Sequence, residues 1–354
     1  MNPKVAVIIL NWNGWKDTIE CLESLYQIAY PNYDVIVVDN GSKDDSVERI
    51  KAYANGEIKV ESKFFKYNPK NKPIKVFEVG EEDARRGRFK RTLYNKFDVN
   101  RRMILIRNED NYGFTGGNNI GIKFALSVLS PDYVLLLNND TVVDRNFLSE
   151  LVKVAESDDR IGILQSKIFK KGDRSIIDST GHIFRFGRVV DRGHGERDRG
   201  QYDERLDIVS ACGAACLYRK EMIEEIGSLN EDFFAYYEDV EFSLRARKSG
   251  WKVTYVPKSV VYHKGRGTSK TEPKFIKSDI GHQLLILHLR NWIIVFKEYC
   301  TLKHKFFFIV EYLRSTIMSW IGMKLGRNNI GAKPYIIAFK EFLRYSRVDK
   351  KWKE

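Results

Sequence analysis

Before residue 141, four short apolar runs each stop at a turn rich in Asn and Asp. Val5–Leu10 leads into Asn11-Trp12-Asn13-Gly14 and Val35–Val38 into Asp39-Asn40-Gly41-Ser42. Met103–Ile106 precedes Asn108–Asn119, and Tyr133–Leu137 ends at Asn138-Asn139-Asp140. Runs this short and this rich in Val, Ile and Leu are strands buried on both faces of a parallel sheet. Helical spacing follows the first turn at Ile19, Leu22 and Leu25, and Ile120–Val128 reads as a helix after the third. Ser42 is placed to cap a further helix, with Asp45 in its first turn. The alternation predicts an α/β chain: a mostly parallel central sheet with helices on both faces, whose polar turns share the carboxyl rim where ligands bind.

Residues 55–102 interrupt the pattern. They hold Asn55-Gly56, prolines at 69 and 73, a strand-like Ile74–Val79 and the basic run Arg85-Arg86-Gly87-Arg88, and read as an insertion, a hairpin with a solvated charged loop. Farther on, Phe147–Val154 is helical in spacing, while Ile161–Ile168, Ile183–Val190 and Val209–Tyr218 read as strands. Asp191–Arg205 is dense enough in charge and glycine to predict a mobile loop. Glu221–Ile226 is a short helix closed by Gly227.

At 354 residues the chain is long enough for one large or two medium domains, and its 43% hydrophobic content excludes disordered and fibrous classes. The net charge of +13 is concentrated at one end: residues 264–354 carry 19 Lys/Arg against 7 Asp/Glu. Four scattered cysteines make no disulfide framework, so a reducing compartment is expected. No secretion leader is read at Met1, and no apolar run reaches the roughly 18 residues of a membrane span. The expected location is cytoplasmic.

Chemistry concentrates in three places. Phe233–Tyr237 runs into Glu238-Asp239-Val240-Glu241, so acids open a helix. They either complement the helix dipole, or one of them, buried beside aromatic rings, becomes a general base. His263 ends the strand-like Ser259–His263, ahead of a basic Lys264–Ser269. Asp140 follows an apolar strand. Each alone fits ordinary packing; together a carboxylate and an imidazole suit a divalent cation beside diphosphate oxygens.

In order along the chain, Val7–Gly14, Val37–Ser42, Asn111–Asn119, Leu135–Thr141, Cys212–Cys216, Phe233–Glu241 and Trp251–His263 resemble the inverting GT-A-fold glycosyltransferases of family 2, especially their rhamnosyltransferase-like group. The resemblance implies a GT-A catalytic domain over residues 1–270, with 55–102 inserted and a basic helical region over 271–354. It implies that Asp39, Asn11 and Asn13 line the nucleotide pocket, and that Asn111, Gly113, Gly116, Gly117 and Asn118 form a glycine-rich loop beside the donor. Tight helix–strand packing is the other role open to those glycines. Asn138-Asn139-Asp140 occupies the place of the family's Asp-x-Asp motif with Asn at its first position, leaving one carboxylate, and His263 would complete a Mg²⁺ or Mn²⁺ site with Asp140. Asp239 matches the general base. Glu238 and Glu241 are then secondary candidates, Glu238 as a second catalytic acid, holding the acceptor or Arg245, and Gly213 and Ala214 leave space for the donor sugar.

The implied enzyme moves a sugar from dTDP-rhamnose or a UDP-sugar to a glycan or polyprenyl-linked acceptor in cell-surface polysaccharide synthesis. Residues 275–354 alternate apolar clusters with Lys and Arg, as two to four amphipathic helices. These either pack on the catalytic body or lie at the inner face of the cell membrane. A Rossmann oxidoreductase is disfavoured because the first turn lacks G-x-G-x-x-G. The remaining alternative is a basic nucleic-acid-binding protein without catalytic activity, although no nucleic-acid partner is expected.

Overall fold

A computed structural model describes residues 2–265, 279–325 and 330–351. Five parallel strands form one half of its central sheet: β1 (Val5–Asn11), β2 (Tyr33–Asp39), β3 (Lys75–Gly80), β4 (Arg102–Arg107) and β5 (Tyr133–Asn138), in the order β3-β4-β2-β1-β5. The other half adds β11 (Ala215–Arg219), β7 (Ile161–Lys170), β12 (Lys252–His263) and β6 (Thr141–Val143), with β8 (Asp173–Ser179) beside the end of β7. β11 runs antiparallel to both β5 and β7, whereas β12 is parallel to β7. The sheet is therefore mixed, with parallel pairs prevailing.

Register decides what meets at the rim. Asn11 pairs with Asp39, Asp39 with Arg107 and Leu10 with Asn138, so the strand ends finish level. β12 sets His263 opposite Thr141, the residue after Asp140. Side chains alternate across the sheet. Val5, Val7 and Ile9 join the core under α1 (Trp15–Leu25) and α2 (Ser46–Asn55), and Ala6 and Ile8 join the core under α5 (Gly113–Phe124). With helices on both faces no position along β1 tolerates a charge, and each large aliphatic side chain so buried stabilises by roughly 1.5–3 kcal/mol.

Several sequence expectations need correction. Residues 55–102 form no hairpin: β3 is an edge strand parallel to β4, followed by the short helices α3 (Glu81–Arg85) and α4 (Arg91–Tyr94). Phe77 on β3 packs edge-on against Phe89, Tyr94 and Phe97, which ties the segment to the body. The basic run is ion-paired locally, Arg85 to Glu81, Arg86 to Glu82 and Arg88 to Asp83. The loop foreseen over Asn111–Asn119 is already helix from Gly113. Ser42 caps no helix; α2 starts at Ser46, and the Ser42 hydroxyl donates to Asp39 Oδ1 at 2.6 Å. Ile183–Val190 is two strands, β9 (His182–Arg185) and β10 (Arg188–Asp191), turned at Phe186-Gly187, both with positive φ. Asp191–Arg205 is folded onto the body by buried Arg192, which donates to the Thr180 and Arg205 carbonyls, and by Lys167, paired with Asp198 and Asp203. The strand expected at Val209–Tyr218 is confined to β11. Helices α6 (Phe147–Ala155), α7 (Lys220–Ile226) and α8 (Glu238–Lys248) fall where the periodicity placed them.

The basic region supplies α9 (Asp279–Tyr299), α10 (Leu302–Lys324) and α11 (Lys333–Lys351). Leu289, Trp292, Ile293 and Phe296 of α9 share a buried cluster with Phe233 and with Val240 of α8. Arg188 Nε donates to Glu311 Oε1 on α10 at 2.7 Å. Among the described residues no helix is long and apolar enough to cross a membrane. The basic segment after His263 lies outside the described residues beyond Gly265.

At the opposite end of the strands, buried Asp34 receives Lys4 Nζ at 2.7 Å and Arg102 Nη2 at 2.8 Å. One carboxylate thus joins the starts of β1, β2 and β4. Asp34→Ala leaves two cations without their counter-charge and is expected to destabilise the chain by about 3–5 kcal/mol in denaturant unfolding.

Candidate active site at the carboxyl rim of the sheet

Asn11 and Asp39 end adjacent strands and are both buried. Asn11 Nδ2 donates to Asp39 Oδ1 at 2.7 Å, while Thr18 Oγ1 donates to Asn11 Oδ1 at 2.8 Å. Asp39 Oδ2 also receives the Ser42 amide at 3.1 Å. Asn13, in the left-handed region at φ 49°, accepts the Lys43 amide at 2.8 Å through its side-chain oxygen. Asp39 borders a polar cleft of about 540 Å³ with Lys43, Glu81, Arg107 and Asn108 at the ends of β2, β4 and β3.

Asn40, which the sequence reading passed over, organises the next turn. Its Nδ2 donates to Asn111 Oδ1 at 2.9 Å and to the Gly113 carbonyl at 3.0 Å, and its Oδ1 accepts Asn108 Nδ2 at 3.0 Å. The glycines of this segment are packed tightly. A Cβ on Gly117 would lie 2.5 Å from Leu10 Cδ1 and 3.0 Å from Asn40, and one on Gly116 would lie 2.7 Å from Tyr112 Cβ. Gly113, at φ 70°, leaves room for Phe234. Asn118 Nδ2 turns back onto its own helix, donating to the Phe114 carbonyl at 2.8 Å. The packing alternative for these glycines is thus present in the geometry.

The second part of the rim follows β5. Asn139 Nδ2 donates to Thr18 Oγ1 at 3.0 Å, linking this turn to α1. Asp140 Oδ1 lies 3.2 Å from His263 Nε2, so the two residues named for a metal are together. The opposite ring nitrogen, Nδ1, lies 2.8 Å from Asp178 Oδ2. Burial opposes charge on His263, but the Asp140 and Asp178 carboxylates outweigh it and raise its proton affinity to about 10. Asp178 was not foreseen: it is one of two acids in β8, brought beside His263 only because β8 and β12 both flank β7. An imidazole with one nitrogen on a carboxylate and the other beside a hard oxygen is the donor set of an Asp–His metal site with its outer carboxylate already in place.

The third part opens α8. Gly213 N–H donates to Asp239 Oδ2 at 2.9 Å, and the Asp239 Oδ1 atom accepts the Val240 amide at 2.8 Å. One residue on, the Ala214 carbonyl accepts the Asn138 amide at 2.9 Å. A Cβ on Gly213 would be 3.5 Å from Asp239 and 3.7 Å from Phe114, ordinary contact distances at the point where three segments meet. Glu238 is buried; burial first, and then the adjacent Asp239 carboxylate, push it well above the usual carboxylate range. Glu241 does hold Arg245, with Nε to Oε1 at 3.0 Å, and also takes the Tyr299 hydroxyl of α9 at 2.6 Å.

The turn before Asp239 is strained. Phe234, Tyr236 and Tyr237 all have positive φ, each costing of the order of 1–3 kcal/mol. Asn291 of α9 over-determines the conformation: its Nδ2 lies 2.8–3.0 Å from the carbonyls of Phe233, Ala235 and Tyr236. No local sequence signal marks Asn291, which sits mid-helix in an apolar stretch. Nearby, His182, Asp191 and Cys212 bring an imidazole, a carboxylate and a thiol within 4.8 Å of one another. Burial pushes the Cys212 thiol up, which keeps it neutral, whereas Asp191 outweighs burial and raises His182 to about 8.

Two family models match the chain: glycosyl transferase family group 2 over residues 133–326, more than half of its length, and glycosyl transferase family 2 over residues 6–73. A low-salt glycan biosynthesis hexosyltransferase of Haloferax volcanii is 32% identical over 142 residues, 39% of this chain and 44% of that protein. An N-acetylglucosaminyl-diphospho-decaprenol L-rhamnosyltransferase of Mycobacterium tuberculosis is 36% identical over 59 residues, 16% of this chain and 19% of that one. The matches therefore span less than half the length of these relatives. A mannosyltransferase from Pyrobaculum calidifontis, solved with GDP-Man and Mn²⁺, superposes with a TM-score of 0.54 at 14% identity over 97% of this chain and 88% of that one. At that identity the likeness is one of fold. With its mixed sheet, rim of strand ends and terminal helices, the chain belongs to glycosyltransferase family 2 and has the GT-A fold.

Proposed function

We propose that this chain is an inverting glycosyltransferase moving a hexosyl or rhamnosyl unit from a nucleoside-diphosphate donor, dTDP-rhamnose or a UDP-sugar, to a glycan or lipid-linked acceptor at the inner face of the cell membrane. Residues 1–270 would carry catalysis and 271–354 the appended helices. The observation supporting this reading is the Gly213-Ala214 pair: one amide holds Asp239, and the next carbonyl holds the turn that carries Asp140. The polar cleft bordered by Asp39 suits the nucleotide, with Asp39 and Arg107 at its rim.

In the proposed reaction an acceptor hydroxyl gives its proton to the Asp239 carboxylate as its oxygen forms a bond to the anomeric carbon. The bond from that carbon to the diphosphate oxygen breaks on the opposite side, the nucleoside diphosphate leaves with the electron pair, and the anomeric configuration inverts. Glu238, pushed toward its neutral form by burial and then by the Asp239 carboxylate, stands beside that base as the secondary acid. Asp140 and His263 would hold a divalent cation, which when bound offsets negative charge on the departing diphosphate. Asn138 in place of an acid leaves that site with a single carboxylate from the turn.

Three measurements test this reading. Asp239→Asn is expected to lower kcat by about 10²–10⁴-fold, with donor affinity by calorimetry nearly unchanged; retained turnover removes Asp239 as the base. Asp178→Ala, which frees His263 Nδ1, is expected to weaken Mn²⁺ affinity roughly 10–100-fold in a titration followed by electron paramagnetic resonance. Because folding raises the proton affinity of Glu238, its contribution to stability is complete below the ordinary glutamate range and lost as pH rises through the folded value. The melting temperature of Glu238→Gln relative to the parent should therefore be more favourable at about pH 8.5 than at about pH 5.

A further inference from the structure

α10 turns a long apolar stripe away from the body. Leu302, Phe306, Ile309, Leu313, Ile317 and Trp320 recur at intervals of three and four, and they are 48–86% exposed. That spacing is a single stripe along the helix. The opposite face, turned to the protein, buries Phe308 beside Glu311, and Arg188 Nη2 donates to Ser315 Oγ at 2.9 Å. α11 repeats the arrangement more briefly, with Ile336, Phe339 and Leu343 exposed at i, i+3 and i+7. Between the helices runs an apolar groove of about 340 Å³ floored by Ile293, Phe308 and Tyr312. Nine large apolar side chains on two adjacent helices form a surface beyond the scattered exposure normal in proteins.

Charge selects the occupant. Lys303, Lys324, Lys333, Lys340 and Arg344 on the same two helices are exposed, and residues 264–354 are strongly cationic. A second copy would bring one cationic surface against another. Hydrocarbon fringed by anionic headgroups matches both features, and the absence of a membrane-spanning helix among the described residues leaves α10 in the plane of such a surface. We propose that the exposed faces of α10 and α11 dock on an anionic lipid bilayer, with the apolar stripe in the headgroup–acyl boundary.

Docking has a consequence for the site. Phe186, 73% exposed at the tip of the β9–β10 hairpin, precedes Gly187, whose carbonyl accepts Trp292 Nε1 of α9 at 3.0 Å and whose backbone lies against that of Phe307 and Phe308. The hairpin thus sits at the N-terminal part of α10, and its other end carries His182 and Asp191 beside the carboxylates of α8. A lipid-linked acceptor would reach Asp239 from this side, a corollary that rests on the function proposed above; the docking itself does not.

The test is co-sedimentation of the full chain with vesicles of phosphatidylcholine alone or mixed with phosphatidylglycerol. The parent is expected to bind mixed vesicles at least tenfold more tightly than neutral ones and to be released by high salt. The paired variant Leu313→Glu/Ile317→Glu is expected to lose at least tenfold, with donor-binding heat unchanged in the absence of vesicles. Equal binding by that variant overturns the proposal, as does self-association in ultracentrifugation that the variant abolishes without any vesicle binding. If the pair fails to unfold cooperatively, Trp320→Phe supplies a milder probe: a vesicle-induced emission shift undiminished in it also overturns the proposal. Loss of donor binding in the parent would count against the chemistry at Asp239 and leave the docking result standing.

Discussion

Two consecutive residues just before β11 connect the halves of the molecule. The Gly213 amide is spent on a carboxylate from α8, and the Ala214 carbonyl on the amide that ends β5. Because β11 runs antiparallel between β5 and β7, its first residues emerge at the rim where its parallel neighbours finish. A Cβ at 213 would come only to ordinary contact distance of Asp239 and Phe114, so the link is made by the Gly213 amide rather than by the lack of a side chain. The convergence of three distant segments is therefore a property of strand direction and of two backbone hydrogen bonds, rather than of any long-range charge attraction.

The polar rim is largely self-satisfied. Asn11, Asp39, Ser42 and Thr18 form a closed hydrogen-bonded set, and Asn40 does the same for the turn after β4. Such networks hold a surface in one geometry at low local dielectric, where each unsatisfied member would be costly. Burial in a ligand pocket and burial in a scaffold are distinguishable here by direction: Asp39 faces its own turn and also borders the cleft, while Asn118 faces only its helix.

Much of this was legible in the sequence, for a definite reason. Val5–Leu10, Val35–Val38 and Tyr133–Leu137 are apolar without alternation because helices cover both sheet faces, and that pattern gives away the parallel half. Asp140 and His263 could be named together because one follows an apolar strand, the other ends one, and the family resemblance pairs them at a metal. What was hidden depends on partners far away in the chain. Asp178 gains its place through the pairing of β7 with β8, Asn40 through a turn some seventy residues later, and Asn291 through the docking of a helix. Asp191–Arg205 looked mobile because its charges are dense, yet Arg192 and Lys167 find carbonyls and carboxylates that no local window contains. The basic run Arg85–Arg88 misled for the opposite reason: its acids stand four or five positions upstream, and helical turns bring them into reach.

The clamp by Asn291 bears on how this family diversifies. Three carbonyl contacts from one side chain of an appended helix hold a backbone that L-residues avoid, one turn ahead of Asp239. The terminal helices are consequently not an interchangeable accessory. A lineage that swapped them for another anchor would need to reinvent the brace for its reactive loop at the same time, which couples the evolution of attachment to that of turnover.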